Sequence, residues 1–106
     1  MARKTKERGT DNVLADLEFP DAEELTARTI LAKRINDIVL RRGLTQLEVA
    51  ALLGMPQPRI SAIRNYKLRG ISLERLMQAL TALGQRIEIV VSPASRAAPA
   101  RIEVAA

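Results

Sequence analysis

Between residues 21 and 84 the apolar positions recur with the 3.6-residue period of helices packed on one core. Leu31, Ile35, Ile38 and Val39 form a stripe that predicts a long first helix over about 21–42. Asp21 followed by Glu24 is a capping-box start, with Pro20 just outside it, and Gly43 can end the helix in a left-handed conformation. Thr45 with Glu48 is a second capping box, opening a short helix that Gly54 ends. A third helix is predicted over 57–66, with Ile60 and Ile63 facing inward. Ser72 caps a fourth, which carries Leu73, Leu76, Leu80 and Leu83 on one face and closes at Gly84.

After Gly84 the period falls to two. Ile87, Ile89 and Val91 alternate with Arg86, Glu88 and Val90, which predicts a strand over 85–91. The backbone groups of a lone strand need partners. One candidate is the 12–19 stretch, itself ambiguous between a loose strand and a turn of helix. Another is Arg101-Ile102-Glu103-Val104, which echoes Arg86-Ile87-Glu88-Ile89. The third, which we favour, is the same strand of a second copy. The expected fold class is therefore all-α, four or five helices with one C-terminal β-strand pairing across a dimer. The expected order is a disordered basic leader (1–10), an acidic segment (11–20), a helical domain (21–84), a dimerisation strand (85–91) and a flexible Pro/Ala/Ser tail (92–106).

Composition narrows the chemistry. The 106 residues have room for one compact domain with short tails. Phe19 and Tyr66 are the only aromatics, so the core must be filled by Leu, Ile, Val and Ala. The absence of Cys excludes disulfides, thiolate metal sites and cysteine nucleophiles. The absence of His removes the commonest general base and the commonest metal ligand. Acid–base work would fall to Asp, Glu, Lys or Tyr, yet the acids cluster before the domain with no paired spacing, phosphate loop or nucleophile motif. No catalytic residue, metal ligand or cofactor is expected, and the chain does not read as an enzyme. No apolar run approaches the roughly 20 residues of a membrane span, and residues 1–10 lack the apolar stretch of a signal peptide. A cytoplasmic location is expected.

Formal charge is +5, and its distribution says more than its total. Residues 11–24 hold six acids and no base. Residues 55–70 hold Arg59, Arg64, Lys67 and Arg69 and no acid. A one-signed patch inside a structured segment is the footprint of a nucleic-acid binder, although an ordinary solvated helix face reads the same way on charge alone.

The informative segment is 43–70. Two short helices joined by a tight glycine turn must cross closely, so a small residue is needed at the contact, and Ala50 supplies it. Gly54 gives the turn a positive φ without steric penalty. Val49, Leu53, Met55, Ile60 and Ile63 fall where the inner faces meet, and the second of the two helices keeps the polar, basic outer face that major-groove entry requires. Leu44-Thr45-Gln46, Val49-Ala50, Leu53-Gly54-Met55, Gln57 and Ile60-Ser61-x-Ile63 resemble the lambda-repressor-like, Xre-family helix-turn-helix. The resemblance covers about 35–83. The longer layout is similar to antitoxins of the HigA and HipB type, in which four helices are followed by a strand that pairs across the dimer.

The resemblance implies double-stranded DNA, as an inverted-repeat operator, for the partner, and implies roles residue by residue. Gln46 resembles the glutamine that braces a phosphate and a neighbouring side chain. Gln57 resembles the reader of a base edge, and glutamine pairs well with adenine. Ala62 matches a position that touches thymine methyls. Asn65, Lys67 and Arg69 sit where relatives contact phosphate, while Arg59 and Ser61 flank the reading face. Pro56 stands where the family usually places a Ser or Thr cap, a lack that proline in the first helical turn can offset. Val39 and Arg64 replace a usual Arg–Glu ion pair, which leaves Arg64 to face DNA or to be a solvated surface residue. Leu47 and Leu52 take positions usually charged, either as scattered exposed leucines or as a patch for a partner. As an antitoxin the chain would be a homodimer that represses its own operon and masks a basic toxin, with residues 11–24 as a candidate surface. Those acids also suit a helix start. A stand-alone Xre-type regulator with no toxin is the alternative.

Overall fold

The computed structural model describes residues 20–105, with side chains from residue 25 onward. The described residues fall into two units, Arg28–Ser92 and a second comprising 20–27 and Pro93–Ala105. The leader, most of the acidic segment, the 12–19 stretch and the Asp21–Glu24 cap lie outside what is described. Four helices are described: α1 (Pro20–Arg42), α2 (Gln46–Leu53), α3 (Gln57–Arg64) and α4 (Leu73–Ala82). The fold is all-α. No described helix is long and apolar enough to cross a membrane.

Local sequence sets the helix starts. Thr45 accepts from the Glu48 amide through its hydroxyl at 3.1 Å, and Glu48 accepts from the Thr45 amide at 2.8 Å, closing the expected capping box. Ser72 likewise accepts from the Arg75 amide. Pro56, at the cap position of α3, makes no side-chain bond. Pro58 offsets this by having no N–H to satisfy, and the Pro56 carbonyl takes the Arg59 and Ile60 amides at 2.9 and 3.2 Å.

All four helices stop in one way. A residue in the left-handed region reverses the chain while the next amide reaches back over the last turn: Leu44 to Val39, Met55 to Ala50, Lys67 to Ala62 and Gln85 to Leu80. At three of these turns the left-handed residue is glycine (Gly43, Gly54 and Gly84). At α3 it is Tyr66, with φ 59°. The expectation of a helix over 57–66 is corrected here: α3 ends at Arg64 because Tyr66 has already left the right-handed region.

Within Arg28–Ser92 the core is aliphatic. Leu31, Ile35 and Ile38 of α1 meet Val49 and Leu53 of α2, Ile60 and Ile63 of α3, and Leu76, Ala79 and Leu80 of α4, all buried. Met55, Leu68, Ile71 and Leu83 close it from the turns. Val39 and Leu73, expected inside, are only half-buried. Helices of eight residues are marginal alone and take their stability from this shared interior.

Residues 85–91 form neither helix nor ladder, and no strand occurs among the described residues. Ile87 is half-buried, while Ile89, Val90 and Val91 are exposed, Val91 by 92%.

Polar side chains stitch the unit together at its carbonyls. Asn36 donates to Ile63 O at 3.1 Å, at the end of α3. Arg75 donates to Leu53 O and Gly54 O at 3.3 and 3.1 Å, at the end of α2. Arg42 donates to Leu83 O, at the end of α4. Arg28 reaches the loop between α3 and α4, donating to Leu68 O at 3.2 Å and Ile71 O at 3.0 Å. Among the described residues its Nε is buried without a partner. Replacing Arg28 by Met removes the Arg28 donor from the Ile71 carbonyl and leaves the Leu68 carbonyl with the Ile71 amide alone, and is expected to lower unfolding stability by about 1–3 kcal/mol. Urea denaturation followed by circular dichroism measures it, with amide exchange at 67–71 rising before the rest of the chain.

Candidate nucleic-acid interface

α2 and α3 form a helix pair joined by the turn at Gly54–Met55–Pro56. Gly54 is left-handed at φ 64°, and no atom lies within 4 Å of where a Cβ would stand. Glycine is thus needed there for its conformation and not for space. Arg75 holds the carbonyls on the α2 side of this turn, and Met55 seals its inner face.

On α3, Ile60 and Ile63 point into the core and fix the rotation of the helix. Gln57, Ser61 and Arg64, at i, i+4 and i+7, then share one stripe, and Ala62 falls away from it, roughly 100° round from Ser61 and toward Arg59. Gln57 and Arg64 are exposed, whereas Ser61 and Ala62 are half-buried. By the same period Arg59 stands on the other flank, apart from that stripe. Gln46, from the start of α2, joins Arg64 and Val39 along a shallow apolar cleft floored by Ile35, Val49 and Ile60. The structure thus gathers Gln46, Gln57, Ser61 and Arg64 near one edge of the helix pair. The place of the usual ion pair is apolar on the α1 side, and Arg64 forms no ion pair among the described residues.

Beyond α3, Asn65, Lys67 and Arg69 are exposed on the loop that Arg28 anchors. The Asn65 amide group donates to Ser61 O at 3.0 Å, so one of its donors is already engaged in ending the helix. Among the described residues Arg59, Arg64, Lys67 and Arg69 have no side-chain hydrogen bond or ion pair within the chain. Lys33 on α1 differs: its pKa is raised by the hydrogen bond from its ammonium to Asp37, then by the charge of Asp37, with a smaller contribution from Tyr66.

Sequence reasoning missed the four side chains that hold this surface in place, Arg28, Asn36, Arg42 and Arg75. Three are arginines on helix sequences that look like ordinary solvated faces, and only their targets, carbonyls distant in the chain, reveal them. Tyr66, expected as the last residue of a helix, stands two residues beyond a helix end, in the left-handed position that glycines take at the other three ends, and that placement was the available signal. Leu47 and Leu52 are exposed on α2 by 65% and 48%.

A helix pair with a glycine turn, an inward aliphatic face and an outer face of unpaired cations has the geometry of a DNA-reading unit. The profile of a helix-turn-helix domain family matches residues 13–92. A solved structure named as a candidate XRE-family transcriptional regulator is similar to this chain at 50% identity and a TM-score of 0.76, covering 82% of this chain and 99% of its own. No curated protein matches the chain. With the family match spanning most of the sequence and half the residues shared with that structure, the chain belongs to the Xre-type helix-turn-helix DNA-binding transcriptional regulators.

Proposed function

We propose that the chain binds an inverted-repeat operator as a homodimer, with α3 as its reading helix, and represses its own operon as the antitoxin of a toxin–antitoxin pair. The observation that carries the DNA reading is the set Arg59, Arg64, Lys67 and Arg69, exposed on α3 and the loop after it without an internal partner among the described residues. Gln57 reads a base edge, Ala62 touches thymine methyls, Arg59 and Ser61 flank the reading face and serve either base or phosphate contact, and Gln46, Asn65, Lys67 and Arg69 meet phosphate. The dimer is supported by residues 85–91, whose exposed Ile89, Val90 and Val91 and unladdered backbone suit pairing with the same segment of a second copy. A basic toxin is supported by the six acids of residues 11–24, which stand outside the helix-turn-helix. The second reading, a regulator with no toxin, is favoured by the name of the structural neighbour, which mentions transcription alone.

Two α3 helices entering successive major grooves require half-sites about 34 Å apart. Footprinting on the DNA upstream of the gene checks that spacing. Lys67→Ala and Arg69→Ala are expected to weaken all sequences alike, each lost phosphate contact reducing the salt slope by about 0.9. Gln57→Ala is expected to cost about 1–3 kcal/mol at one base pair and relax preference there. Unchanged preference in that variant would show that α3 does not read DNA. An unchanged salt slope in Arg64→Ala would make Arg64 a solvated surface residue.

Ile89→Pro removes a ladder donor and is expected to shift the dimer toward monomer in sedimentation equilibrium. An unmodified chain that sediments as a monomer at high concentration contradicts the pairing. Co-expression with the adjacent reading frame tests the toxin: a stable complex is expected that loosens when the acids of residues 11–24 are neutralised. Lack of a co-purifying protein favours the stand-alone regulator.

A further inference from the structure

The four helix ends form an internal control. Each uses the same reversal, with one residue in the left-handed region and the next amide bonded to the carbonyl five residues back. At Gly43, Gly54 and Gly84 the residue there is the one that adopts this conformation without a steric penalty. Tyr66 adopts it too, at φ 59°, and a Cβ in that region crowds the following carbonyl.

The fold itself makes little use of the tyrosine ring and hydroxyl. The ring does not fill the core, since 46% of the residue is exposed. The hydroxyl makes no hydrogen bond among the described residues. The reversal needs no tyrosine, because its two bonds, Tyr66 N to Ile63 O and Lys67 N to Ala62 O, are made by main chain alone. The strained position therefore carries a side chain nearly half exposed, whose hydroxyl makes no hydrogen bond among the described residues. Its sequence neighbours are Arg64 and Asn65 on one side and Lys67 and Arg69 on the other, all exposed. Backbone strain of this kind accumulates at functional sites.

We infer that Tyr66 is a DNA-contacting residue, whose phenolic hydroxyl donates to a backbone phosphate at the C-terminal end of α3. The inference rests on α3 lying against DNA, as proposed above. A tyrosine suits such a contact, because its ring covers sugar, its hydroxyl donates to a phosphate oxygen, and it has only two side-chain torsions to immobilise. The contact is neutral. It adds affinity without releasing a counterion, unlike those of Lys67 and Arg69.

That difference provides the test. Binding of the full chain to a 30-base-pair duplex of arbitrary sequence is measured by fluorescence anisotropy across a salt series, for wild type, Tyr66→Phe, Tyr66→Gly and Lys67→Ala. Tyr66→Phe keeps the ring and the backbone and is expected to lose about tenfold in affinity with an unchanged salt slope, the effect of one hydrogen bond to a charged acceptor. Tyr66→Gly, which installs the residue found at the other three helix ends, is expected to fold and to bind at least as weakly as Tyr66→Phe. Lys67→Ala is expected to flatten the slope. Wild-type affinity in Tyr66→Phe overturns the contact, as does a loss accompanied by an equal fall in melting temperature, which would assign the hydroxyl to the fold. A wild-type chain that binds no duplex even at low salt overturns the DNA reading itself, and the wild-type series alone separates the two failures.

Discussion

A helix of eight residues leaves the carbonyls of its last turn without partners inside the helix, and two such helices form the centre of this protein. Main-chain reversals satisfy some of these carbonyls, and side chains from the flanking helices satisfy others. Asn36 of α1 holds the end of α3, Arg75 of α4 holds the end of α2, and Arg42 of α1 holds the end of α4. These bonds cross the core from outside it, so the aliphatic interior contains no buried polar side chain among the described residues. They also set the positions of helix ends, which apolar contacts constrain poorly because one aliphatic surface slides over another with little change in energy. The rotation of α3 is fixed by Ile60 and Ile63, and its axial position by Asn36.

This arrangement divides the basic residues by role. Arg28, Arg42 and Arg75 give their donors to carbonyls and are structural cations. Lys33 and Arg86 are matched by acids on the same chain, Asp37 and Glu88. Among the described residues, Arg59, Arg64, Lys67 and Arg69 keep their charge unmatched on α3 and the loop after it. Net charge alone would not have separated these classes, since each residue adds one unit to it. The loop that carries Lys67 and Arg69 is irregular, and Arg28 ties it at two carbonyls to a long helix. For the DNA contact proposed for this loop, being held in place beforehand is an advantage, because ordering it at the moment of contact would subtract from affinity.

Local rules written over a few residues made much of this legible without coordinates. The capping pair Thr45 and Glu48, the cap at Ser72 and the glycines at helix ends act between near neighbours, so their spacing in the chain is their spacing in space. The inward faces of α1 to α4 followed from period for the same reason. The edges were less secure. Val39 and Leu73 lie on the predicted stripes yet stay half-exposed, because periodicity assigns a face and not the depth to which a neighbour covers it. The end of α3 fell two residues early, since the left-handed turn there is occupied by a tyrosine that carries no local signature of a helix stop.

What the sequence by itself determined was the set of helices, their inner faces and the one-signed charge of residues 55–70. Only the tertiary structure decided which polar side chains are spoken for. Arg28 and Leu68 are separated by 40 positions, Arg42 and Leu83 by 41, and nothing in either residue's surroundings in the chain announces its partner. An arginine on a helix has the same neighbours in sequence whether its guanidinium meets water, a carbonyl or a phosphate. The choice is made by which helix end packing brings within about 3 Å of it, the reach of a hydrogen bond, and that distance exists only once the core has closed.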